Sequence, residues 1–106
     1  EDAAAFLASA DGVPVGFAAC ALRWEYVEGT EQSPAGYLEG IFVAAAFRRC
    51  GAAAGLLRRC EAWAKEKGCA EFASDCELEN EESRLFHAAC GFSEVCRTIN
   101  FAKRLA

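Results

Sequence analysis

The chain has 106 residues, 54% of them hydrophobic and 25% charged, with a formal net charge of −5. These values exclude a disordered chain, a membrane span of ~20 apolar residues and a nucleic-acid surface, which needs clustered Lys and Arg; the acidic balance suits a cationic ligand instead. The seven cysteines, Cys20, Cys50, Cys60, Cys69, Cys76, Cys90 and Cys96, contain no C-x-x-C pair, so they predict reduced thiols packed as small apolar residues, with neither a metal site nor a disulfide framework.

The opening, Glu1-Asp2-Ala3, is acidic where a secretory leader would be basic, and predicts a cytoplasmic chain. A short apolar run over Ala4–Ser9 is followed by Asp11-Gly12, a tight-hairpin dipeptide. Val13–Tyr26 reads as a long strand, with Pro14 and Gly16 near its start, where an edge or bulge tolerates them. Residues 27–36 are polar and carry Gly29, Ser33, Pro34 and Gly36, so they form a loop. Tyr37–Val43 (YLEGIFV) has the apolar, β-rich character of a central strand. A helix is predicted over Ala52–Lys67, with Ala53, Leu56, Leu57, Cys60, Trp63 and Ala64 on one stripe, and Gly68 ends it. Cys69–Asp75 is a further strand. Asn80 caps a helix that runs through Cys90 and ends at Gly91. Phe92–Leu105 supplies the last strand or strands. The order β-β-β-α-β-α-β predicts a single α/β domain over residues 1–106. Its mixed sheet has an antiparallel front half and a parallel pair joined by the crossover helix.

The segment Arg48-Arg49-Cys50-Gly51-Ala52-Ala53 joins a buried strand to that helix. The first amides of a helix have no internal partner, and the dipole adds roughly half a positive charge there. A diphosphate can accept from those amides if the turn carries no bulky side chain, which Gly51, Ala52 and Ala53 satisfy, while Arg48 and Arg49 add charge. An ordinary strand-to-helix turn with two solvated arginines fits the same residues. Glu39 stands mid-strand in an apolar run, where a carboxylate must face a cleft or pair with a cation such as Arg23 or Arg84. Asp75 closes the next strand, at the end where open α/β sheets place ligands, and a loop cap is its other reading.

Arg48, Gly51 and Ala53 match the [Q/R]-x-x-G-x-[G/A] motif of the GNAT acetyltransferases, and Asn80–Phe92 resembles that superfamily's N-x-x-[AS]-x-x-[LF]-[YH]-x-x-x-G-[FY] helix. The segments DGVPVGFA (11–18), LRWEYVEG (22–29), SPAGYLEGIFV (33–43), KGCAEFASD (67–75) and FSEVCRTINFAKRL (92–105) carry a resemblance to the aminoglycoside 6'-N-acetyltransferases across essentially the whole chain. That family begins with a strand and two helices that have no counterpart in these residues, so the resemblance implies a GNAT-like fold shortened at its N-terminus. It also stands apart in having Ala44-Ala45 where the family often has Leu-Pro.

The resemblance implies acetyl-CoA as cosubstrate, no metal, and acetyl transfer to a primary amine, most specifically the 6'-amine of an aminoglycoside. Another amine (a polyamine, an amino acid or a protein) and a non-catalytic CoA-binding or dimerising fragment are its alternatives. It implies CoA contacts from Ile41, Phe42, Val43, Arg48, Arg49, Cys50, Gly51, Ala52, Ala53, Asn80, Ser83 and His87. The thioester oxygen is expected to accept from the amide of Phe42 or Val43, with the pantetheine in the splay between the YLEGIFV and CAEFASD strands. Glu39 and Asp75 are expected to bind the substrate ammonium and help deprotonate it, and Tyr26 to face the substrate. His87 stands where the family usually has Tyr, and could protonate the leaving thiolate or merely pack. Catalysis through a cysteine is disfavoured, because none has an evident His base. The tail implies a homodimer completed through its last strands.

Overall fold

In the computed structural model, which describes residues 1–106, the hairpin dipeptide does what its composition requires. Asp11 (φ 51°) and Gly12 (φ 80°) are both left-handed, as a two-residue hairpin turn demands. The turn joins β1 (Ala3–Ala10) to β2 (Val13–Arg23). β3 (Ala35–Val43), a short 3₁₀ turn at Ala45–Phe47, α1 (Ala52–Glu66) and β4 (Phe72–Ala73) follow. The sheet has the order β1-β2-β3-β4; the first two pairings are antiparallel and β3–β4 is parallel. Two compact units make up the chain, Glu1–Asp75 and Cys76–Ala106.

In the first unit, α1 packs on β1, β2 and β3. The buried side chains are four of the predicted stripe, Leu56, Leu57, Cys60 and Ala64, with Ala18 and Cys20 of β2, Ala35, Leu38 and Val43 of β3, and Cys69; Ala53 and Trp63 of the stripe are only half-buried. Gly36 lies in this layer: a Cβ there would stand 2.5 Å from the Phe72 ring and 2.7 Å from the Ala64 Cβ. The alternate residues face the other way. Leu7 pairs with Phe17 and Phe17 with Phe42, and all three remain exposed. All seven cysteines are free thiols, with Cys20, Cys60 and Cys69 buried. No helix is long and apolar enough to cross a membrane.

Strand lengths differ from the sequence expectation for identifiable reasons. β2 ends at Arg23 rather than Tyr26, because its partner β3 begins at Ala35, opposite Arg23. The Trp24 carbonyl instead accepts from Ser33 Oγ at 2.6 Å. β4 is two residues long, because only Phe72 and Ala73 find partners, Gly36 and Tyr37.

In the second unit, α2 (Glu81–Ala89) begins at Asn80, whose Oδ1 accepts from the Ser83 amide at 3.0 Å, and Gly91 (φ 96°) follows its end. The strand expected over Phe92–Leu105 is absent. No segment of the chain forms a ladder with it, and its apolar residues Ile99, Phe101 and Leu105 are 79–91% exposed. Alternating composition alone does not make a strand without a partner edge.

Candidate active site

The strand-to-helix turn has the open character its composition implies. Gly51 is the N-cap of α1 with φ 88°, and no side chain caps the helix there. Arg49 is also left-handed at φ 63°, so two such residues flank Cys50. Backbone of this kind turns amides into a concavity that suits an anion. The Cys50 thiol donates to the Phe47 carbonyl at 2.7 Å, which fixes the turn from within. Arg48 is held by its Nε, which donates to the Val43 carbonyl at 2.8 Å. One arginine of the pair is thus anchored to the end of β3. Apart from the chain neighbours of Gly51, nothing lies within 4 Å of where its Cβ would stand.

β3, the strand that leads to this turn, carries a one-residue bulge four residues before its end. Ala19 of β2 opposes Gly40 and Cys20 opposes Leu38, so Glu39 is the extra residue. A bulge reverses which backbone groups point to each neighbour. Before it, the Gly36 amide donates to Glu71 on the β4 side at 2.9 Å. After it, the Ala44 amide donates to Val15 of β2, and the Val43 carbonyl takes Arg48 from the other side. Alternation then turns the backbone groups of Ile41 and Val43 away from β2, and those of Phe42 toward it. β4 pairs only as far as Ala73, opposite Tyr37, so the β4 side of Ile41 and Val43 has no strand beside it. Of the two expected oxyanion donors, the Val43 amide faces this gap. The Phe42 ring lies on the exposed face.

A cluster of charged and aromatic side chains occupies the sheet near that gap. Arg23 Nε and Nη2 donate to Glu39 Oε2 at 3.1 and 2.9 Å. The Arg23 guanidinium also lies 3.9 Å from the centre of the Tyr37 ring. The Tyr37 phenol in turn donates to Asp75 Oδ2. Desolvation, then the bond to Asp75 and its charge, push the Tyr37 phenol up to about 12, so it stays protonated at working pH. The bond to Glu39 raises the Arg23 guanidinium above its ordinary value. Two carboxylates, one fixed cation and one phenol thus form a single line, Glu39–Arg23–Tyr37–Asp75. Such a line can receive a further cation.

The structure therefore brings Glu39 and Asp75 into one cluster, and gives Glu39 the Arg23 partner that was one of its two sequence readings. Tyr26 lies beyond β2, is 73% exposed, and donates to Glu28 at 3.4 Å. On α2, His87 Nδ1 lies 2.7 Å from the Ser83 carbonyl and 3.3 Å from Ser83 Oγ, and its ring meets Phe92 edge-on at 5.0 Å. The carbonyl contact places a proton on Nδ1. Asn80 uses its side-chain oxygen as the helix cap. Sequence reasoning passed over Tyr37 and did not give Arg23 a role in the site. The signal for Tyr37 was its spacing, two residues from Glu39 on the same strand.

Residues 1–92 match the acetyltransferase (GNAT) family. The chain is 46% identical over 101 residues to an aminoglycoside N(6')-acetyltransferase type 1 of Salmonella typhimurium, covering 95% of this chain and 70% of that protein. It is 44% identical over 99 residues to the enzyme of the same description from Acinetobacter haemolyticus, covering 93% and 68%. The chain thus spans about two thirds of the length of these relatives. Among solved structures it is similar to the aminoglycoside N-acetyltransferase AAC(6')-Iy in complex with CoA, with a TM-score of 0.95 and 45% identity over 99% of this chain and 78% of that one. The same enzyme in complex with the bisubstrate analogue CoA-S-monomethyl-acetylneamine gives a TM-score of 0.94, over 99% of this chain and 71% of that one.

Proposed function

This chain belongs to the acetyltransferase (GNAT) family, and from that premise we propose that it moves the acetyl group of acetyl-CoA to a primary amine of a cationic small molecule, the 6'-amine of an aminoglycoside. The relatives named for that activity, at 44–46% identity, support the acceptor. The single observation that carries the chemistry is the uncapped start of α1 beside the bulged end of β3. The family match runs over both compact units, which supports reading them as parts of one domain.

The amides of Cys50, Gly51, Ala52 and Ala53, with Arg48 and Arg49, would take the diphosphate. The backbone of Ile41 and Val43, turned to the gap beyond β4, would pair with the acyl arm, and a donor there stabilises the oxyanion that forms at the carbonyl. Phe42 would contribute its ring alone. Glu39 and Asp75 bind the ammonium, and one of them, directly or through water, removes the proton that the amine must lose before it attacks. Holding amine and thioester together supplies much of the rate. On α2, the resemblance assigns Asn80, Ser83 and His87 to the pantetheine, with His87 as the proton donor to the departing thiolate. Tyr26 would stack on the sugar. The seven free thiols suit the reducing cytoplasm. A homodimer through the exposed tail accounts for Ile99, Phe101 and Leu105 in water.

The test is a thiol-release assay with acetyl-CoA and two acceptors, a 2-deoxystreptamine aminoglycoside and spermidine. Turnover of the aminoglycoside, with spermidine at least an order of magnitude poorer in kcat/KM, is the expected result. Equal or reversed preference would overturn the acceptor assignment. Binding of CoA with no turnover of either amine would leave a CoA-binding module.

A further inference from the structure

Glu39 and Asp75 come from unequal supports. Glu39 is the bulge residue of β3, a strand paired with β2 on both sides of it. Asp75 follows a two-residue strand and lies in a segment without regular structure, so its own backbone does little to orient it. What ties it down is a side chain of β3: the Tyr37 phenol donates to Asp75 Oδ2. The same Tyr37 ring carries the Arg23 guanidinium on its face at 3.9 Å, and that guanidinium holds Glu39. Both of its bonds fall on Oε2, which leaves Oε1 for a ligand.

We propose that Tyr37 is a positioning residue for amine binding: through its phenol and its ring-bound Arg23 it sets the Asp75 and Glu39 carboxylates as one fixed pair facing the substrate ammonium. This rests on the reading that those two carboxylates receive the amine. Tyr37 does not itself exchange protons. Burial and Asp75 hold the phenol at about 12, so near neutrality it is a permanent donor. A phenylalanine would keep the ring face for Arg23 and lose only the tie to Asp75, which isolates the function of the hydroxyl.

Two measurements test it. The chain has two tyrosines, so a Tyr26→Phe background leaves Tyr37 as the single phenol. Its ionisation, read by ultraviolet absorbance, should fall clearly below about 12 when Asp75→Asn removes the neighbouring charge. An unchanged midpoint overturns the tie. In the kinetic arm, Tyr37→Phe should raise the KM for the aminoglycoside about tenfold, as expected for a lost bond to a charged group, with the KM for acetyl-CoA and the Tm held. It should add nothing further in the Asp75→Asn background. An unchanged amine KM, or the same loss in both backgrounds, overturns the positioning role. If the wild-type protein turns over no amine, the proposed function falls and the positioning role with it, while the phenol titration still decides the Tyr37–Asp75 contact by itself.

Discussion

Arg23 reaches Glu39 with two nitrogens, Nε at 3.1 Å and Nη2 at 2.9 Å, and both bonds end on the same carboxylate oxygen. The two side chains are 38% and 39% exposed, so water screens the pair and it contributes about 0.2–1 kcal/mol to stability. Its role is to hold Glu39. Glu39→Gln should therefore change the urea midpoint little, while under the proposed function kcat/KM for the amine falls about 100-fold or more, as the loss of a binding and proton-accepting charge requires. Paired denaturation and steady-state measurements check both halves. A large loss of stability with intact turnover would make Glu39 a structural residue.

Gly36 should tolerate no side chain. A methyl group there would sit 2.5 Å from the Phe72 ring and 2.7 Å from the Ala64 Cβ, both in the packed layer between sheet and α1. Gly36→Ala should cost about 1–3 kcal/mol as overpacking, read as a fall in Tm, and should separate β3 from β4. Gly40, whose Cβ would meet nothing within 4 Å, is the control: Gly40→Ala should be far milder.

The protein should lose stability in alkali. Burial, then the Cys20 contact, push the Cys60 thiol up to about 12, and burial raises Cys20 and Cys69 as well. In the unfolded chain these thiols ionise near 8.5. Between those limits the native state holds more protons than the unfolded state, so unfolding releases protons and stability falls as pH rises. For Cys60 the contribution is complete below about pH 8.5 and decays toward pH 12, at up to about 1.4 kcal/mol per pH unit, and Cys20 and Cys69 act in the same direction. Chemical denaturation at several pH values between 8 and 11 reads the slope, and Cys60→Ala should flatten it.

The thiols should divide by location. Cys50, Cys76 and Cys96 are exposed, whereas Cys20, Cys60 and Cys69 are buried. A thiol-reactive disulfide reagent should modify the exposed set quickly in the native protein and the buried set only after unfolding. Peptide mapping identifies them, and fast modification of Cys60 would contradict its place on the buried face of α1.

Much of this architecture was legible in the residues. The Asp11-Gly12 turn, the α1 stripe, the Gly68 and Gly91 stops and the Asn80 cap are local features, and local rules find them. What escaped depends on partners. Phe92–Leu105 alternates well enough for a strand but pairs with no other segment. β4 is short because only Phe72 and Ala73 pair, with Gly36 and Tyr37. The bulge at Glu39 is a register event between two strands, and it decides which amides face the gap. Glu39 and Asp75 were visible as misplaced acids, but the tie through Tyr37 needs two strands side by side.

The proposed acetyl transfer depends above all on the uncapped amides at the start of α1, which would take the diphosphate. Gly51 has φ 88° and open space where a Cβ would be, and aspartate is among the few residues that tolerate this conformation. Gly51→Asp would place a carboxylate at the helix start, satisfying those amides and competing for the site. Isothermal titration with CoA should show binding to the wild-type protein and at least a tenfold weaker Kd for Gly51→Asp, with no fall in helix content by circular dichroism. Equal affinity in the two proteins would contradict the account.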